Sequence, residues 1–150
     1  QLVGYRGAEA FFRAHGDTAL ARRAADRWHD EGVFGVFYNE LIRRADSLYA
    51  THPDSAALRE GKVAIGRWAR AEFEGPVAAQ IRSFTIAPAT DTTARPINNA
   101  RLVGITLYRT HLDAFDAWYQ RYDGDLKRTV AGLDSAMAGV QGDDAWGHLQ

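Results

Sequence analysis

The sequence contains no cysteine. That excludes disulfides and thiolate metal sites, and it removes the nucleophile of a cysteine hydrolase. Lysine is scarce as well: Lys62 and Lys127 are the only two among 18 basic residues, the rest being arginine. No block of like charge disturbs the balance of 18 basic and 19 acidic residues, and the formal net charge is −1. Long-range attraction to nucleic acid or to an anionic membrane surface therefore has no support. No apolar run approaches the roughly 20 residues that a membrane-spanning helix needs. The chain opens Gln1-Leu2-Val3-Gly4, without the basic start and apolar stretch of a signal peptide.

What is present is enough for a hydrophobic core. At 150 residues the length fits one domain or one piece of a larger protein. A chain of this size buries about 68–70% of its unfolded surface, so it needs no covalent staple. The apolar residues recur at helical spacing from end to end. Val3, Ala8, Phe11 and Phe12 predict a helix from Leu2 to His15, with Gly16 as the glycine just past its end. Asp17 suits an N-cap for a long second helix, Thr18 to about Ala50, with the stripe Leu20, Ala24, Trp28, Phe34, Phe37, Leu41, Ala45 and Leu48. Gly32 and Gly35 sit inside it, each costing about 1 kcal/mol relative to Ala, which suggests a kink or a closely packed neighbour.

His52-Pro53-Asp54 reads as a break and a cap. A third helix then runs from Ser55 to about Glu74, and Gly75-Pro76 ends or bends it. Val77 to Phe84 reads as a further short helical piece. Periodicity is lost from Thr85 to Arg95, where Thr and Pro dominate, and one long loop is expected near 85–97. Loops of that length are often functional, but a solvated connector accounts for this one better. Asn98 or Asn99 caps a fourth helix to about Arg109. Leu112, Phe115, Trp118, Tyr119 and Tyr122 form a fifth stripe, Asp123-Gly124 a turn, and Asp125 a cap for a last helix carrying Leu126, Val130, Leu133 and Met137. The tail Gln141-Gly142-Asp143-Asp144 reads as frayed. The class is all-α: an irregular bundle of about five to six helices in a single domain spanning 1–150.

Self-contained catalytic patterns are missing. The five histidines, at 15, 29, 52, 111 and 148, include no pair four residues apart, so there is no H-E-x-x-H zinc helix. His29-Asp30-Glu31 and His111 with Asp113 place a histidine beside acids, which a charged helix surface, or for His111 a cap or ion pair, explains better than a metal ligand does. Ser47, Ser55, Ser83 and Ser135 lie in no nucleophile motif, and no glycine-rich phosphate loop occurs. Glu72 with Glu74, and Asp143 with Asp144, are too close in sequence to face one another from a helix. Trp118, Tyr119 and Tyr122 fit a pocket lining or a core stripe. One constellation remains. Asn98, Arg101 and Tyr108 recur at i, i+3 and i+10, roughly one helical face beside an apolar run. That face offers groups able to hold a carboxylate, a carbonyl or a backbone, or simply a cap and a salt bridge.

Two stretches together carry a resemblance. The segment Val3-Gly4-Tyr5-Arg6-Gly7-Ala8-Glu9-Ala10-Phe11-Phe12-Arg13-Ala14-His15-Gly16-Asp17 is one. The other is Asn98-Asn99-Ala100-Arg101-Leu102, followed by Tyr108, Leu112-Asp113-Ala114-Phe115 and Gly124-Asp125-Leu126. Their order and spacing, from residue 3 to about 138, resemble the C-terminal portion of the bacterial "putative zinc aminopeptidase" family of H-E-x-x-H type. The resemblance implies zinc in a parent protein but no zinc bound by this chain alone. Its ligands would lie upstream, the third a Glu about one helical turn before Gln1, in a catalytic segment of the same protein. It also implies a peptide substrate, a cell-envelope or periplasmic setting, and a chain that begins part-way through its parent. It gives Tyr108 the catalytic role of oxyanion hydrogen-bond donor. Asn98, Asn99 and Arg101 become substrate-binding residues in a cleft wall. These 150 residues alone would then be inactive. A stand-alone, non-catalytic helical binding module is the alternative.

Overall fold

The structure is a computed structural model that describes residues 1–87 and 98–140, apart from the side chains of Arg101, Leu107 and Tyr108. Helix α1 (Leu2–Ala14) stops where expected, at Gly16, whose φ of +79° suits a residue without Cβ. The Asp17 carboxylate then accepts the Leu20 N–H at 2.9 Å and starts α2 (Thr18–Ala50). Helix α2 stays helical through Gly32 and Gly35. A Cβ on Gly32 would meet no heavy atom within 4 Å, so a close neighbour is not the reason for that glycine. His52 adopts φ +48° and breaks the chain. Asp54 accepts the N–H groups of Ala56 and Ala57 at 2.9 and 2.8 Å and opens α3 (Ser55–Glu72).

At Gly75-Pro76 the helix neither stops nor simply bends. It widens into a π-helical turn, η1 (Phe73–Val77), and continues as α4 (Ala78–Gln80). Pro76 has no N–H, and in an α register its ring would strike the carbonyl four residues back. A wider turn relieves both problems. The short helix expected over 77–84 is cut to this stub. Ile81 is extended, with ψ 133°, and the next two N–H groups are captured by Asp30 rather than by a helix.

Residues 85–87 are non-helical, and the rest of the expected loop lies outside the described residues. The chain resumes with α5 (Asn99–Arg109). His111, at φ +58°, separates it from α6 (Leu112–Arg121). Asp123 and Gly124, both with positive φ, make the next turn. Asp125 caps α7 (Leu126–Met137) by accepting the Arg128 N–H at 3.1 Å. The expected frayed tail lies outside the described residues. Among those described there is no strand, and the class is all-α.

The chain divides into two compact units. One is Gln1–Trp28 with the chain from His111 onward; the other is His29–Thr110. In the first, Leu2, Trp28 and Leu112 are buried, with Tyr5, Phe115 and Tyr119 packed around them. A polar node sits against this cluster. Asp116 Oδ1 accepts from Arg6 Nη2 and from Trp28 Nε1, each at 2.8 Å, and Arg6 also reaches Glu9 at 3.1 Å. The Arg6 guanidinium lies 5.8 Å from the Trp28 ring and 5.0 Å from that of Tyr119, so its charge is shared between two carboxylates and two ring faces. Thr129 is fully buried. Its hydroxyl donates to the Asp125 carbonyl at 2.6 Å, and its own carbonyl accepts from Trp118 Nε1 at 3.3 Å.

In the second unit, Phe34, Phe37, Leu41 and Val77 form the core, with Tyr38, Ile65, Trp68, Phe73 and Leu102 against it. Phe34 stacks on Phe73 and Phe37 on Trp68, each with centroids 5.9 Å apart. Burying each such side chain contributes about 1.5–3 kcal/mol. This cluster is the surface on which α5 is laid.

Candidate functional site

Helix α5 and its N-cap carry the four residues singled out above. Asn98 is the N-cap: its side-chain Oδ1 accepts the Ala100 N–H at 2.9 Å and its carbonyl accepts the Leu102 N–H at 3.1 Å. Asn99, the first helical residue, faces Tyr49 of α2. Its Nδ2 donates to the Tyr49 hydroxyl at 2.7 Å, and that hydroxyl lies 3.0 Å from Asn99 Oδ1. Leu102 packs on the Phe34–Phe37 cluster and Ile105 is buried. Arg109 follows on the same stripe, at i+7 from Leu102. Its Nη1 donates to Glu31 Oε2 at 3.1 Å, and its guanidinium lies 5.7 Å from the rings of both Phe34 and Tyr38.

The four sequence-derived residues thus divide. Asn98 and Asn99 are exposed and engaged in a cap and a staple to α2. Arg101 and Tyr108 lie on α5, seven residues apart. Their side chains lie outside the described residues.

The residues that hold α5 in place include ones the motif did not reveal. His29, Asp30 and Glu31 are consecutive on α2, and each takes hold of a different point of the chain. The His29 ring meets the Gln80 carbonyl at 3.2 Å through Nε2. Asp30, only 1% exposed, accepts the N–H groups of Arg82 and Ser83, both at 2.9 Å, and also the Ser83 hydroxyl. Glu31, also buried, takes Arg109. Burial pushes the Asp30 carboxyl up. The Ser83 hydroxyl, the two backbone N–H groups and nearby His29 more than offset that, and the group titrates below the usual carboxylate range. A sequence signal for Asp30 did exist. It lies at i−4, i−7 and i−11 from Phe34, Phe37 and Leu41, and a carboxylate on an apolar stripe requires donors.

The remaining candidates settle into structural places. Trp118 is buried, and Tyr119 packs on the core of the first unit. Trp118 and Tyr122 also line an open cavity of about 550 Å³, with Arg128, Ala131, Gly132 and Ser135. No three His, Asp or Glu side chains among the described residues gather as a metal-binding group. Asp30 already accepts from two N–H groups and one hydroxyl, and Glu31 is held by a guanidinium. Among the described residues, then, neither buried carboxylate is free to take a metal, and the zinc of the sequence resemblance has its expected ligands in a preceding segment.

The fold is that of an all-α protein in which one short helix, tied at both ends to a long one, opens with the sequence N-N-A-R-L. A family model described as "putative aminopeptidase" matches residues 1–141, and the chain belongs to that putative aminopeptidase family. No curated protein and no solved structure gives a significant match.

Proposed function

We propose that this chain is the C-terminal helical portion of a zinc-dependent aminopeptidase and forms a wall of its substrate cleft, the metal being held by a preceding segment. The family match over 1–141 carries this reading. It is supported by the N-N-A-R-L sequence at the start of α5 and by the spacing of Tyr108, seven residues after Arg101 in the sequence. In this reading the Tyr108 hydroxyl donates to the oxyanion that forms when the peptide carbonyl is attacked, and Arg101 holds the substrate backbone. Asn98 and Asn99 contribute by fixing the start of α5.

The test is Tyr108→Phe in the longest native reading frame that contains this chain. Loss of one oxyanion donor typically costs about 10²–10³ in kcat. We expect a fall of at least about 10²-fold, with KM little changed and zinc content unaltered. An unchanged kcat would remove Tyr108 from the mechanism.

A further inference from the structure

We propose that His29-Asp30-Glu31 is a clasp that positions α5, and with it Tyr108; the link to Tyr108 rests on the function proposed above, whereas the clasp itself does not. Three neighbouring side chains on one helix secure the chain at Gln80, at Arg82–Ser83 and at Arg109. The first two points lie on the N-terminal side of the stretch that leads to α5, and the third is the last residue of α5 itself. Tyr49, 18 residues further along α2, holds Asn99 at the other end of α5.

This arrangement does more than add stability. A helix that meets an apolar surface through side chains such as Leu102 can roll about its axis at small cost, because dispersion contacts are non-directional. Hydrogen bonds are directional. The Glu31–Arg109 bond is placed one residue after position 108, so it fixes the roll of α5 where the tyrosine is attached. A roll of one residue's worth of helix, about 100°, would carry Tyr108 to a different side. Burial gives the bond its leverage: Glu31 is 9% exposed, and the Arg109 guanidinium is held against two aromatic faces. Glu31 and Arg109 are thus positioning residues, and Asp30 with His29 sets the point from which the chain departs toward α5.

The first experiment is amide hydrogen exchange on the 150-residue chain. Glu31→Gln keeps the shape and removes the charge. It should speed exchange in the last turns of α5 about 10-fold and leave α6 and α7 unchanged. Asp30→Asn should do the same at residues 81–83. Arg109→Lys, which keeps the charge without the fork, should retain part of the protection that Glu31→Gln removes. A uniform rise across all helices, or no rise in α5, overturns the clasp. The second measurement uses the longest native reading frame. Glu31→Gln should lower kcat on a dipeptide amide about 10-fold with KM and zinc content unchanged; equal losses in Tm and activity without a kcat-specific effect would overturn the positioning role. Absence of any peptidase activity in that frame would sink the proposed function and leave the exchange result to decide the clasp.

Discussion

A buried carboxylate on an apolar stripe is the residue that most constrains this chain. Asp30 accepts two backbone N–H groups and one hydroxyl, which is nearly its full capacity as a carboxylate. Its pKa lies below that of the unfolded chain, so the sign of the linkage is fixed. Its contribution is fully present above the unfolded value of about 3.9 and is lost as pH falls through the lower folded value. We expect the thermal midpoint of the wild-type chain to drop as pH is lowered below about 4. Asp30→Asn should be less stable at pH 7 by roughly 1.5–3 kcal/mol, the scale of a hydrogen bond to a charged group, and should show a flatter acid limb. Melting curves by circular dichroism from pH 7 to pH 2 check both. A variant with the wild-type acid limb would show that Asp30 is not the linked group. Glu40 is the contrast. Arg43 holds it at about 2, yet it sits at the solvent-facing surface, where an ion pair makes little difference to folding. Locality explains what could be read from the sequence at this scale. Asp17, Asp54 and Asp125 cap helices that begin within three residues of them, so their roles follow from their neighbours. The partners of Asp30 and Glu31 lie 52 and 78 residues away, and no local rule names them. The same holds for Asn98 and Asn99: the helix start was legible, but the Tyr49 hydroxyl that occupies Asn99 was not.

Among the elements, helix positions follow apolar periodicity closely, because each helix must present one face to a core. The departures occur where backbone chemistry or a tertiary bond overrides the pattern. Pro76 turned an expected helix end or bend into a π-helical turn, and Asp30 drew the chain after Gln80 out of the helix. Close approach between elements is likewise invisible in a spacing pattern. Gly132 on α7 shows this. A Cβ there would fall 2.1 Å from the Tyr122 hydroxyl oxygen and 2.4 Å from the ring carbon that bears it. On helix propensity alone, Gly132→Ala should stabilise α7 by about 1 kcal/mol. The clash opposes that, because a tyrosine ring is rigid and must swing away as a unit, and overpacking typically costs about 1–3 kcal/mol. We expect the clash to win, with a net loss of about 1 kcal/mol measured by urea denaturation. Tyr122→Leu combined with Gly132→Ala should regain the helix-propensity gain. A stabilised single variant would show that Tyr122 moves freely.

Over the whole molecule, the division into two compact units leaves no trace in the sequence, since one boundary falls inside the uninterrupted helix α2, between Trp28 and His29. No linker composition marks it. The zinc proposed above raises a question about ligands. The histidines for which the structure gives a ring contact are occupied locally: His15 meets the Phe11 carbonyl at 2.8 Å and His29 that of Gln80. The buried carboxylates are likewise taken, Asp30 by N–H and O–H donors and Glu31 by Arg109. Freeing Asp30 or Glu31 for zinc would break the charge-assisted bonds that hold α5, at a cost of about 1.5–3 kcal/mol each. Structural and catalytic zinc sites need three or four ligands at about 2.0–2.3 Å, so that cost would recur before any ion was held. The chain dialysed against zinc and then buffer is therefore expected to retain less than about 0.1 equivalents, and the longest native reading frame close to one equivalent, by atomic absorption. One equivalent on the 150-residue chain would place the ligands within it and overturn the proposal that they lie in a preceding segment. Zinc retained by neither would favour a helical binding module without catalytic metal, because α5 and its anchors would then be shaped for a ligand and not for hydrolysis.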